Sequence, residues 1–224
     1  MTADEMYSLL KFIIRKNQNG NLTPQDFDLI ANRASCSYMD YLLGSFQKYL
    51  PGRPMAPATF GQNEDIRQRL TPFITTPVPL TINGSTGVAP YPDDFQADDA
   101  MYYGQYNRRV KYIQQDRVDS FVNSVINPID KFPCYLLVRD GFQFYPATLG
   151  TAKLSYVRTP KTIKWNYTTD LYGRPIYNPI GSQDPEWYDL DAMQVVTRAL
   201  AMLGVNLQLN IVEQYSQMLK NQGD

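Results

Sequence analysis

Apolar residues recur at helical spacing near both ends of the chain. The first stripe consists of Met6, Leu9, Leu10, Ile13 and Ile14. Intervals of three and four residues are typical of an amphipathic helix. A second stripe runs up to Pro51 and consists of Phe27, Ile30, Ala31, Ala34, Tyr38, Tyr41 and Leu42. A short third helix is predicted from Asn63 to Leu70.

Capping residues delimit the first two predicted helices. Thr2 and Glu5 stand three residues apart, as a capping box requires. Gly20 lies in the Asn-rich segment that ends the first helix, and Thr23 caps the second, with Pro24 at its first position. The sequence therefore predicts two N-terminal helices joined by a short connection.

The C-terminal region is also predicted to be helical. Asp184 is expected to cap a helix that begins at Pro185 and ends before Gly204. Its apolar face is predicted to comprise Leu190, Met193, Val196, Thr197, Leu200 and Leu203. A final helix is predicted from Asn206 and includes Ile211.

Between the helical regions, prolines and glycines separate short runs rich in Val, Ile, Tyr and Phe. Strands are predicted at Val78–Ile82, Met101–Tyr106, Val110–Gln114, Cys134–Arg139, Phe142–Tyr145 and Ala152–Arg158. Asp140-Gly141 is a hairpin-turn signal. One helix, Asp116–Asn127, is predicted among these strands.

The order of these elements predicts an α+β fold. Residues 1–74 and 184–224 are expected to form one helical bundle, on the matched stripes that contain Ile13, Ile30, Leu200 and Ile211. Residues 75–183 are expected to form a central antiparallel β insertion, with an aromatic, Pro-rich loop at 161–183.

Composition narrows the class of protein. Among the 224 residues, 43% are hydrophobic and 19% charged, values typical of an ordered globular protein. A net charge of −1 gives the chain no overall positive potential that would attract nucleic acid or an anionic membrane. No apolar stretch approaches a membrane span, and the acidic N-terminus is unlike a signal peptide. Cys36 and Cys134 are expected to be buried free thiols in a reducing compartment, so we expect a cytosolic protein or an assembly made there.

The absence of histidine limits the chemistry that the chain can perform. It excludes the commonest general base and every Ser-His or Cys-His nucleophile. Neither a Gly-rich phosphate loop nor a GxSxG motif occurs. Asp93-Asp94 and Asp98-Asp99 allow glycoside acid–base catalysis or calcium binding, but neighbouring loop aspartates are usually solvated. We therefore expect no catalytic residue, no metal and no cofactor.

Aromatic residues are unusually dense from Trp165 to Ile180, in a chain that contains 17 tyrosines and 2 tryptophans. Such a segment could form a protein interface, a self-packed surface loop or a surface that stacks on sugars and bases. We favour a protein interface, because tyrosine buries a large area and loses little side-chain entropy. The predicted interface residues are Trp165, Tyr167, Tyr172, Arg174, Tyr177 and Arg158.

Two groups of basic residues occur on strand or loop segments. They are Arg108, Arg109 and Lys111, and Arg158, Lys161 and Lys164. Salt bridges to a neighbouring subunit or solvated faces are the expected uses, because acidic residues elsewhere balance these charges.

Three short motifs, taken in order, resemble those of a known family. They are Tyr91-Pro-Asp-Asp-Phe95, Leu154-Ser-Tyr-Val-Arg-Thr-Pro160, and Ser182-Gln-Asp-Pro-Glu-Trp187 leading into the terminal helices. With the N-terminal helix pair, this order resembles the head-to-tail connector (adaptor) ring proteins of short-tailed bacteriophages, including the crAss-like group. The long 161–183 segment departs from the compact connectors.

The resemblance implies a structural protein of the virion neck or tail that is assembled in the host cytoplasm. Its members form a ring of about twelve copies under the portal protein, pass DNA without binding it specifically, and receive other tail proteins. The alternative hypothesis is a carbohydrate-binding module or a histidine-free glycosidase from a phage tail.

Overall fold

A computed structural model of the chain describes residues 1–18, 21–45, 57–104, 106–123 and 131–204. These residues form an α+β structure, which confirms the predicted fold class. The described helices are α1 (Ala3–Gln18), α2 (Pro24–Ser45), α3 (Pro57–Leu70), α4 (Val118–Val122) and α5 (Asp189–Met202). The described strands are β1 (Val78–Thr81), β2 (Val88–Ala89), β3 (Phe95–Tyr103), β4 (Arg108–Arg109), β5 (Lys111–Tyr112), β6 (Cys134–Val138), β7 (Gly141–Tyr145), β8 (Thr151–Arg158), β9 (Tyr167–Thr169) and β10 (Pro175–Tyr177).

The chain divides into two compact units, with boundaries at residues 69/70 and 159/160. The helical unit comprises the described parts of residues 1–69 and 160–224, and the sheet unit comprises residues 70–159. The sequence placed the second boundary at 183/184 and so assigned residues 161–183 to the β insertion. The difference has a local cause, because the amides of Ile163 and Trp165 donate hydrogen bonds to Asn32 and Asp28 of α2, at 2.7 and 2.8 Å.

The predicted caps of α1 and α2 are confirmed. The Thr2 amide donates to the Glu5 carboxylate at 2.8 Å, and the Glu5 amide donates to the Thr2 hydroxyl at 3.2 Å. This reciprocal pair satisfies two amides that the first helical turn leaves without intrahelical partners. At α2 the Thr23 hydroxyl accepts from the Asp26 amide at 3.2 Å, directly before Pro24.

Helices α1 and α2 pack with α5, as predicted, but α5 begins later than the sequence indicated. Its first residue is Asp189, and the Asp184 carboxylate, which was predicted to cap the helix, accepts a hydrogen bond from the Ala3 amide at 2.7 Å, at the start of α1. The predicted apolar face is wrong at Leu190, Met193 and Thr197, which are exposed. The buried face comprises Asp191, Ala192, Val195, Val196, Ala199 and Leu200.

Hydrogen bonds join several buried polar side chains inside the helical unit. The Tyr38 hydroxyl donates to Asp191 at 2.7 Å, and Arg69 donates to the same carboxylate at 3.2 Å. The Trp187 indole donates to the Ser35 hydroxyl at 2.8 Å. These buried contacts join α2 to the segment that enters α5. The predicted helix from Asn206, with Ile211, lies outside the described residues.

Leu200 tests the packing of the terminal helices. Its side chain is only 2% exposed on the face of α5 that packs with the N-terminal helices. Replacing it with alanine should lower the free energy of unfolding by about 2–5 kcal/mol, because the change removes buried methyl groups and leaves a cavity. Denaturant unfolding of the variant measures this loss. A loss below about 0.5 kcal/mol, the range of surface substitutions, would contradict the packing.

The sheet unit contains two four-stranded sheets. The first has the order β1-β8-β3-β4 and is antiparallel. The second has the order β2-β7-β6-β5, in which β5 runs parallel to β6.

The predicted Asp140-Gly141 turn between β6 and β7 is confirmed. A Cβ atom at Gly141 would lie 2.0 Å from the Ala89 carbonyl oxygen, so only glycine fits there.

Several predictions for the sheet unit need correction. Strand β3 begins at Phe95, six residues before the predicted start at Met101. The predicted helix Asp116–Asn127 is, within the described residues, a 3₁₀ turn followed by the short α4. Within the predicted strand Val110–Gln114 only Lys111–Tyr112 (β5) is a strand, and Val110 separates it from β4, which belongs to the other sheet.

The cysteine prediction holds for one residue only. Cys134 is buried, as expected, but Cys36 is exposed. Cys36 follows the buried Ser35 on α2, so the helical turn directs it away from the interior. Both thiols are free.

None of the helices in the described ranges is both long enough and apolar enough to cross a membrane.

Candidate functional site

The aromatic segment of the helical unit forms a β-hairpin, which we call the aromatic hairpin (β9, β10 and the turn 170–174 between them). Tyr167 pairs with Tyr177, and Thr169 pairs with Pro175. The Asp170 carboxylate organises the turn by accepting hydrogen bonds from the amides of Tyr172 and Arg174, both at 2.8 Å. The segment predicted as a loop is therefore an ordered two-stranded element.

Trp165 holds the aromatic hairpin to α1 and α2. Its side chain is 4% exposed, and its indole donates a hydrogen bond to Asp4 at 2.9 Å. Its ring centroid lies 4.4 Å from that of Tyr7 on α1. Trp165 therefore connects the hairpin to α1 through buried contacts, and its ring is not exposed to a partner.

Tyr167 and Tyr177 continue the same aromatic stack. Their ring centroids lie 5.8 and 5.7 Å from that of Trp165, with nearly parallel planes. The two tyrosines face each other across the hairpin register. Offset stacks of this kind add about 0.5–1.5 kcal/mol per pair beyond area burial. The stack gives the hairpin a fixed position on its own unit.

The outer part of the hairpin and the segment that follows it expose large apolar side chains. Leu171 is fully exposed, Tyr172 is 83% exposed and Ile180 is 81% exposed. We call Leu171 and Tyr172 the hairpin tip. The Arg174 guanidinium lies 5.8 Å from the centre of the Tyr172 ring, within the range of a cation–π contact. An ordered element that projects apolar groups into solvent is typical of a surface that a partner covers.

Arg158 lies in the sheet unit and not on the hairpin. Its guanidinium donates to the carbonyls of Pro72 and Thr159, at 3.2 and 3.3 Å, and lies 5.6 Å from the centre of the Phe73 ring. These contacts fix the end of β8. Its predicted interface role is therefore separate from that of Trp165 and the four predicted residues of the hairpin.

Three of the four aspartates that follow Pro92 accept hydrogen bonds from three different side chains and do not share a site. Asp94 accepts from the Tyr156 hydroxyl at 2.7 Å, and Asp98 accepts from the Tyr135 hydroxyl at 2.9 Å. Asp99 accepts from the Ser155 hydroxyl at 3.2 Å. Burial next to Asp98 raises the pKa of Tyr135. Among the described residues, no group of three or more Asp, Glu or Cys side chains is placed to hold a metal ion.

The Tyr156–Asp94 contact predicts a pH dependence of stability. Burial, together with the hydrogen bond to Asp94, raises the pKa of Tyr156 to about 12 from its ordinary value of 10.0. The stabilisation is therefore complete below pH 10 and is lost as the pH rises through about 12. Tyr156→Phe should cost about 1–3 kcal/mol at pH 7, because it leaves the carboxylate without this donor. Denaturant unfolding of both proteins from pH 7 to 12 should show this difference shrinking, and a constant difference would contradict the prediction.

The predicted basic residues fall into different environments. Arg108, Arg109 and Lys111 line one cavity of the sheet unit. In the helical unit, Lys161 forms a salt bridge with Glu186 at 3.3 Å. The backbone of Lys164 pairs with that of Gln183 at the base of the aromatic hairpin. Two of the six predicted cations thus help to fix the hairpin region to its own unit.

Sequence reasoning missed the aliphatic part of the exposed surface. Leu171, Ile176 and Ile180 are exposed beside the predicted tyrosines. The signal that could have located the tip is Asp170 followed by Gly173, since Asp and Gly at these positions favour a tight turn. Gly173 indeed has a positive φ of 76°.

Comparison with known proteins adds no family assignment. No protein-family model matches the chain, and no curated protein matches its sequence.

Proposed function

We propose that the protein is a structural subunit of a phage virion, a head-to-tail connector that forms a ring of about twelve copies between portal and tail. The observation that carries the proposal is the aromatic hairpin, whose apolar tip is exposed while its base is fixed. A surface of this kind fits a neighbouring subunit or ring protein. We place the protein in the virion neck or tail and expect no enzymatic activity.

The geometry of the hairpin suits a head-to-tail interface. In such a ring each subunit presents one surface to a different surface of the next copy, so a projecting element on one copy must enter a recess on its neighbour. Because the hairpin is already ordered by the Trp165 stack, little conformational entropy is lost when it docks. Tyr172 and Arg174 are residue types enriched among interface hot spots.

The motifs behind the phage resemblance all have structural roles in the chain. Tyr91 and Phe95 stack at 5.0 Å and pack with Phe142 in the sheet unit. The Leu154–Pro160 motif supplies the end of the central strand β8. The Ser182–Trp187 motif enters α5 and buries Trp187. These roles place each of the three motifs in the packing of the unit that contains it.

Electron microscopy of the protein mixed with a portal protein from a short-tailed phage tests this function. The proposal predicts rings stacked on the portal, which leave a channel for DNA and an opposite side for other tail proteins. Free monomers beside undecorated portals, with saturable binding to a surface polysaccharide, would instead support the carbohydrate-binding alternative.

The glycosidase alternative requires that a carboxylate be catalytic. Asp94 is the acidic residue to test, because it lies in the Asp pair nearest the Pro92 turn and accepts from Tyr156. We expect no cleavage of peptidoglycan or surface polysaccharide by the purified protein. Cleavage that Asp94→Asn abolishes while the fold stays intact would overturn the structural assignment.

A further inference from the structure

The sheet unit contains a cavity of about 630 Å³ near the point where the chain crosses between its two sheets. β4 belongs to the first sheet and β5 to the second, and only the buried Val110 separates them. The volume lies within the range of small-molecule sites, about 300–1,000 Å³. The cavity is independent of the aromatic hairpin, which belongs to the helical unit.

Four positive side chains line this cavity: Arg108, Arg109, Lys111 and Lys131. The described lining contains no aspartate or glutamate, and within the described ranges none of the four cations forms a salt bridge. Four like charges around one cavity repel each other, so a bound anion would stabilise the arrangement. Arginine and lysine are the residue types that bind phosphate oxygens.

Three aromatic rings share the cavity with these cations. Tyr103 is held in place by a hydrogen bond from its hydroxyl to the Lys131 carbonyl, at 2.9 Å. The Lys111 ammonium lies 4.6 Å from the centre of the Phe121 ring, and the Phe132 side chain is exposed. A cavity with both cations and accessible aromatic faces can bind phosphate and stack a planar base.

The strands fix the backbone of these residues. Arg108 pairs with Tyr103 in the β3–β4 register, and Lys111 pairs with Cys134 in the parallel β5–β6 register. The cationic and aromatic positions are therefore held as neighbours by the two sheets. Backbone placed in this way needs little rearrangement when a ligand binds.

We propose that this cavity binds a nucleotide, with its phosphate on the cations and its base against the Phe132 ring. The ligand can come from two sources, a free nucleotide or one nucleotide of a single-stranded nucleic acid. The exposed Phe132 ring beside the cations favours this chemistry over an acidic protein segment, and the cations, which form no salt bridge within the described ranges, favour it over a neutral sugar. The inference goes beyond the connector role and does not depend on it.

Fluorescence anisotropy with a labelled ten-nucleotide oligo(dT) tests the proposal on the full chain, with ATP, dTMP and pyrophosphate as competitors. The double variant Arg109→Gln/Lys111→Gln should weaken oligonucleotide binding about tenfold or more. It should also lower the slope of log affinity against log salt by about 1.4, which corresponds to two lost phosphate contacts. Tighter binding of oligo(dT) than of the mononucleotides identifies a strand as the source, and the reverse identifies a free nucleotide.

Further variants separate the phosphate from the base. Phe132→Leu should weaken the binding of nucleotides more than that of pyrophosphate, because only nucleotides carry a base that can stack. Arg139→Gln is the matched control, since Arg139 is an exposed cation in the β6–β7 turn, outside the cavity lining, and its removal should change affinity less than twofold. If the double variant does not fold, the single variant Lys131→Gln replaces it in the same binding measurements.

Three results would overturn the proposal. The first is the absence of saturable binding by either the oligonucleotide or the mononucleotides. The second is an equal loss of affinity in Arg139→Gln and in the cavity variants. The third is a polyglutamate peptide that binds as tightly as oligo(dT) and displaces it, which would assign the cavity to an acidic protein segment.

Discussion

Replacing Trp165 with alanine is expected to lower the free energy of unfolding by about 3–5 kcal/mol. The indole is 4% exposed, stacks with three tyrosine rings and donates a hydrogen bond to Asp4. The variant loses all of these contacts at once, and the surrounding rings cannot close the space that remains. Denaturant unfolding gives the size of the loss, and amide hydrogen exchange shows whether β9 and β10 open first.

Two control variants separate the contributions of Trp165. Trp165→Phe keeps an aromatic ring and removes the indole N–H, so it should cost about 1–2 kcal/mol. Tyr188→Ala removes an exposed aromatic ring of the same unit and should cost less than about 0.5 kcal/mol. If Trp165→Ala were as mild as Tyr188→Ala, the stack would not hold the aromatic hairpin in place.

The second large effect is expected on assembly and not on folding. Changing both Leu171 and Tyr172 to serine should leave the thermal stability of the monomer nearly unchanged, because both side chains are exposed. Buried hot-spot side chains often cost about 2 kcal/mol or more each on truncation. The two changes together should therefore raise the dissociation constant between subunits about a thousandfold.

The tip residues are better targets than the other predicted tyrosines. Tyr167 and Tyr177 stack on Trp165, so replacing them would disturb the hairpin itself and mix folding with docking. The matched control is Leu29→Ser with Tyr106→Ser, which removes one exposed leucine and one exposed tyrosine elsewhere. Sedimentation velocity should show weaker self-association in the tip variant only. Equal effects in both double variants would indicate a general loss of apolar surface and not a docking site.

Local signals predicted the N-terminal helices because their caps use residues adjacent in sequence. Thr2 with Glu5, and Thr23 before Pro24, act over three or four positions, so a linear pattern is enough to locate them. The Asp140-Gly141 turn is local in the same sense. These features could be recognised without any knowledge of tertiary contacts.

The failures involve residues whose partners are distant in sequence. Asp184 looked like the cap of the following helix, but it accepts from the Ala3 amide, 181 positions away. The start of β3 was missed because it carries aspartates, which strands usually avoid. Tyr135 and Ser155 donate to the β3 carboxylates of Asp98 and Asp99 from other strands. No pattern within a single element encodes such pairings.

The candidate site was predicted in part for the same reason. Aromatic density located the segment, and Tyr172 and Arg174 lie on its exposed outer part. The burial of Trp165 depends on Tyr7 and Asp4 of α1, more than 150 positions away, so the sequence could not separate supporting rings from exposed ones. Arg158 was grouped with the hairpin by residue type alone, and it lies in the other unit.

Mass photometry of the purified chain, alone and with a portal protein, tests most directly whether this protein is a ring subunit. The proposal predicts that, with the portal present, a species appears whose mass exceeds that of the portal by about 308 kDa. This added mass is about twelve times the chain mass of 25.7 kDa. The Leu171→Ser/Tyr172→Ser variant should remain at the mass of one chain under the same conditions. A wild-type protein that stays at 25.7 kDa at every concentration, with or without portal, would contradict the proposal.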